Sequence, residues 1–168
     1  EIHERLVGSE MCIRDRDILD NFKELQEKFG DRSILRAVHF IEENERVENE
    51  VNALISGNID KFLRLVSKSG DSSYKYLQNI YSTKDTANQG VSLGLMMSEI
   101  FLGDNGSYSN GAYSNGVCRV HGGGFAGTIL AIVKDNAVDE YRRNMDKIFG
   151  DGASMILQIR HCGGVRII

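Results

Sequence analysis

Four of the ten residues in the stretch RVHGGGFAGT, residues 119–128, are glycine, and runs rich in valine and isoleucine flank them on both sides. Backbone without a Cβ reaches positive φ and close approach, so the stretch predicts a sharp loop between a strand at 117–121 and another at 128–133. The second half of the chain is thereby committed to a sheet. A helix follows at about 137–149, with Asp135 or Asn136 as N-cap, Val138, Tyr141, Met145 and Ile148 on one face, and Gly150 just past its end. A further strand is expected over 154–160. The mixture predicts an α+β fold with helices packed on one face of an antiparallel sheet.

Residues 17–103 read as helical. Ile18, Phe22, Leu25 and Phe29 step by four, three and four, which is one helical face, and Gly30 ends it. A longer helix is expected over 33–56, with Val38, Ile41, Val47, Val51 and Leu54 facing inward and EENERVENE as a largely charged, solvated outer face. Gly57 caps its end and Asn58 starts the next helix, whose buried stripe is Ile59, Phe62, Leu63 and Val66. Another helix spans about 88–101. Residues 104–116 repeat Tyr-Ser-Asn-Gly, at 108–111 and 113–116, and the Asn-Gly pairs predict a loop.

A chain of 168 residues has room for one domain with a sizeable core. The net charge of -4 disfavours binding to nucleic acid or an anionic membrane by charge neutralisation, and no apolar run approaches membrane-spanning length. Residues 6–16 resemble the direct translation of a transposon-type sequencing adaptor, so 1–16 are set aside as a non-native segment. Cys12 falls within them. The remaining Cys118 and Cys162 have no CxxC or metal-ligand spacing, which fits a reduced, cytoplasmic setting.

The glycine loop offers a backbone concavity of the kind that suits an anion. It lacks the Lys-Ser/Thr of a Walker A loop, and a strand instead of a helix follows it, against a dinucleotide-binding turn. On spacing alone, a tight connection that serves only packing remains an equal reading. His121 reads as a strand-end histidine satisfied by backbone in preference to a proton shuttle. Arg119 reads equally as a phosphate neutraliser or as a solvent-facing strand residue.

The segments CRVHGGGFAGTILAIV and VDEYRRNMDKIFGDGASMILQIRHCGGVRI resemble the C-terminal region of galactokinases, members of the GHMP family of small-molecule kinases. Upstream, RAVHFIEENERVENEVNAL is similar to that family's H…E..RV helical segment, and NQGVSLGLMMSEI to a later helix. The resemblance covers nearly everything from residue 17 onward. It implies a GHMP-type C-terminal region over 17–168, in which Gly122, Gly123, Gly124, Phe125, Ala126, Gly127 and Thr128 form the third family motif beside the cofactor and sugar cleft.

The same resemblance implies ATP and Mg2+ as cofactors and galactose as substrate of an intact enzyme making galactose 1-phosphate. The segments expected to carry the ATP loop and the catalytic pair have no counterpart in these residues. The chain alone is therefore expected to be inactive, with no catalytic residue of its own. Another GHMP kinase, or a catalytically silent binding module with this fold, stays open as an alternative, and nothing in the sequence decides the oligomeric state.

Overall fold

The computed structural model describes residues 17–103, 115–125 and 127–159. The adaptor-like segment, most of the Tyr-Ser-Asn-Gly repeat, Ala126, Arg160 and Cys162 lie outside them. Helix α1, Phe22–Phe29, is set off from residues 17–20 by a turn at Asn21. Gly30, at φ 75°, separates it from the long α2, Asp31–Ile55. Asn58 opens α3, Ile59–Ser72, and its side chain accepts the Lys61 N–H at 3.0 Å, as an N-cap should. A π-helical turn, Ser73–Leu77, prolongs α3. After an irregular connection comes α4, Gly90–Leu102. Strands β1, Gly116–Val120, and β2, Ile129–Val133, form an antiparallel pair in which Val117 faces Ile132 and Val120 faces Ile129. Helix α5, Val138–Phe149, closes the described chain.

The fold is α+β, with one correction to its layering. Strand alternation sends Val117 toward Leu63 and Val66 of α3, whereas Cys118 points to Leu102 of α4 and to Tyr141 and Met145 of α5. Helices thus cover both faces of the strand pair, because β1 is buried on odd and even positions alike. The α4–α5 side is tied by a hydrogen bond of 2.8 Å between the buried Ser98 Oγ and Tyr141 hydroxyl. Burial and desolvation push the Tyr141 phenol up from its ordinary value.

Three further expectations fail. Residues 154–159 form no strand: they pair with neither β1 nor β2, and Met155 and Ile159 are 80% and 99% exposed. Neither Asp135 nor Asn136 caps α5 with its side chain. They sit in a 3-10 turn, Asp135–Ala137, that leads into the helix with the Ala137 N–H already bound to Lys134 O at 2.8 Å. The apolar faces of α1 and α2 are the third case. Helix α1 buries no residue; on α2 Ile41 is buried and Val38 half-buried as expected, but Val47, Val51 and Leu54 are half exposed. The contacts of α2 with α3 and β1 also run through polar residues one turn apart, His39 to Ser72 and Glu43 to Ser69 and Arg119.

Candidate functional site

The site begins where α3 meets β1. Ser69, Ser72 and Ser73 are buried, and a Cβ on Gly70 would stand 3.2 Å from the Arg119 Cβ, so this run of small residues lets the strand come close. Closeness puts Arg119 among polar partners from two helices. Its Nη1 donates to Ser69 Oγ at 2.5 Å and lies 3.4 Å from Glu43 Oε1, while its Nε donates to Val120 O at 3.1 Å. Glu43 also accepts from the Ser69 hydroxyl and pairs with Arg46. One turn earlier, His39 Nδ1 meets Ser72 Oγ at 2.9 Å.

Arg119 is therefore neither a solvent-facing arginine nor one left uncommitted for a phosphate; its charge is balanced by Glu43. Part of EENERVENE, expected as solvated surface, supplies that balance. Burial, above all, lowers the His39 pKa, and Glu43 opposes the shift. Burial raises the Glu50 pKa, with Glu43 adding to the effect.

β1 then delivers the chain to the glycine loop. His121 is exposed; its N–H donates to Thr128 O at 3.2 Å, and its carbonyl accepts the Gly124 N–H at 3.5 Å. Gly122, Gly123, Gly127 and Thr128 are exposed, as is Phe125, whereas Gly124 is buried. Gly124 has φ 72°, and a Cβ there would fall 2.1 Å from the Asn79 carbonyl oxygen, so no other residue fits without displacing the backbone. Gly123 has no positive φ and open space where its Cβ would be. The two neighbours thus differ: a side chain is sterically barred at Gly124 and has room at Gly123.

The segment beneath the loop carries no sequence signal of its own. Arg36 Nε donates to Leu77 O at 3.3 Å and Arg32 Nη2 to Gln78 O at 3.2 Å, so two arginines of α2 hold the end of the π-helical turn. Ile80 then packs on Val120, and the Phe125 N–H donates to Asn79 O at 3.0 Å. The only foothold for this in sequence was Gly124 itself, since close backbone approach is what glycine permits. A cavity of about 280 Å³ opens between α3 and α4, lined by Gly70, Asp71, Tyr74, Ser92, Glu99 and Arg119 among others. None of the loop residues lines it. Among the described residues no group of three His, Cys, Asp or Glu side chains comes together to hold a metal ion, and no helix is long and apolar enough to cross a membrane.

The proteins that this chain resembles are kinases. Each is named galactokinase: one from Limosilactobacillus reuteri is 31% identical over 82% of this chain, and one from Clostridium perfringens is 31% identical over 77%. One from Actinobacillus pleuropneumoniae is 28% identical over 93% of the chain. This chain spans about 30% of the length of the first two and 37% of the third. No protein-family model matches the chain.

Proposed function

We propose that residues 17–168 are the C-terminal part of a galactokinase, an enzyme that transfers the γ-phosphoryl group of ATP to the anomeric hydroxyl of galactose. The observation that carries this reading is the similarity to galactokinases over about four fifths of the chain. The loop at 122–127 is consistent with it: a turn exposed at Gly122 and Gly123, stripped of side chains, and mounted on a strand fixed by Glu43 and Arg119. Phosphoryl transfer depends on positioning two substrates and on stabilising charge at the transferring group. In this reading the loop backbone shapes one wall of the cleft. Mg2+ would arrive with the nucleotide and be held by other parts of the enzyme.

Half a cleft does not hold two substrates in line. Galactose-dependent ADP release by the 168-residue chain is therefore expected at background. A full-length protein carrying this segment is expected to turn over galactose and ATP. Turnover by the rigorously purified chain would overturn the division of labour, and phosphorylation of a different sugar by the full-length protein would overturn the substrate.

A further inference from the structure

Several irregularities meet at one point of the fold. The π-helical turn ends at Gln78, which has φ 56°, and Phe125 has φ 36°; these are the two non-glycine residues with positive φ among those described. Both adjoin Asn79, one by sequence and the other by donating its N–H to the Asn79 carbonyl. Asn79 is 2% exposed, and among the described residues neither its Oδ1 nor its Nδ2 has a hydrogen-bond partner. The carboxamide lies against the loop: its Cγ and Nδ2 are 2.8 Å from the point a Gly124 Cβ would occupy.

A buried carboxamide with neither group paired destabilises the fold, and an apolar side chain of the same size would fill the space without that penalty. Strain and unpaired polar groups concentrated in one place mark sites where another state of the molecule relieves them. A carboxamide holds a donor and an acceptor side by side, and the backbone C=O and N–H that flank a single residue can answer both. The peptides within reach are those of the glycine loop.

We propose that Asn79 is a positioning residue for the glycine loop, whose carboxamide pairs with loop backbone when a phosphate or a sugar hydroxyl binds on the loop's outer side. This rests on the loop being ligand-facing, as proposed above. In the structure the loop is tied to Asn79 through main chain, by the Phe125 N–H at 3.0 Å. With ligand, a loop peptide turns inward to the carboxamide, and its neighbours are left facing the ligand.

The test follows the 15N-labelled chain by NMR, with galactose 1-phosphate and inorganic phosphate as separate probes. Galactose 1-phosphate is expected to shift the amides of Gly122, Gly123 and Gly127 together with the Asn79 side-chain NH2. A matching response to inorganic phosphate would assign the effect to the phosphate; its absence would assign it to the sugar. Asn79→Leu is expected to raise the thermal midpoint while weakening the loop response about tenfold or more. Asn79→Ala, which needs no new packing, is expected to weaken the response equally. The proposal is overturned if the loop amides shift while the Asn79 side chain stays silent, or if both variants respond as the wild type does; either result leaves the loop's ligand-facing role standing. Loop amides that respond to neither probe would overturn that role and the proposal together.

Discussion

Strand β1 and the loop it leads into are held by opposite means. On the strand, Arg119 joins Glu43 and Ser69 in a cluster where each partner is answered by another, and Arg46 completes it. Past its end, the loop rests on an asparagine whose side chain is buried and unanswered, between two strained residues. A hydrogen bond to a charged group stabilises by about 1.5–3 kcal/mol, and an unpaired buried polar group costs about 1–3 kcal/mol. The first region therefore adds to stability and the second lowers it. A fold carries such a burden without collapse only if its base is firm, and the α2–α3–β1 cluster supplies that base directly under the loop.

The comparison breaks first at Glu43. Glu43→Ala leaves Arg119 without its carboxylate and Arg46 with Glu42 alone, and unfolding in urea is expected to show a loss of about 3 kcal/mol. A loss below about 0.5 kcal/mol, the range of ordinary surface substitutions, would mean the cluster is not an anchor.

A smaller effect sharpens the comparison at His39. Its pKa is lowered by burial, so in the range between the folded value and the unfolded value of 6.5 the unfolded chain binds more protons. The contribution of His39 is fully present above pH 6.5 and is lost as pH falls through the folded value. Glu50, raised above 4.5 by burial, works the other way: its contribution is full below pH 4.5 and is lost as pH rises through its folded value. His39→Gln is expected to flatten the fall in stability below pH 6.5 and leave the Glu50 trend, as read from thermal midpoints across pH. An unchanged acid limb would contradict the buried neutral His39.

Smallest of all is Gly123→Ala, with open space and no positive φ at that position. Stability is expected to change by less than about 0.5 kcal/mol. A large loss would show that the loop's glycines act as a set and not through Gly124.

Local signals carried much of the fold. Asn58 announced the start of α3, Gly30 and Gly150 the ends of α1 and α5, and the glycine-rich run the hairpin. The failures came where the partner, and not the segment, decides. Residues 154–159 have strand composition but pair with neither strand of the sheet. Helix α2 has an apolar stripe at helical spacing, yet its contacts also run through His39 and Glu43, because α3 and β1 present serines and an arginine there. Periodicity locates a face but not the chemistry of what it meets. Within the site, the loop was legible from composition, but Asn79 was not. No local pattern tells a buried, unpaired asparagine from any other loop asparagine; only the 2.1 Å clearance at Gly124 reveals what lies beneath.

The most direct test of the division between anchor and loop is kcat/KM for galactose in a full-length kinase carrying this segment, measured well below the thermal midpoint of every variant. With its Cβ aimed at the Asn79 carbonyl, Gly124→Ala displaces the loop and is expected to lose about tenfold or more while the protein stays folded. Glu43→Ala, though far less stable, is expected to stay within about threefold of the wild type, because it touches only the anchor. The account is contradicted if Glu43→Ala is the more damaging of the two at that temperature, or if Gly124→Ala loses activity only in step with its unfolded fraction.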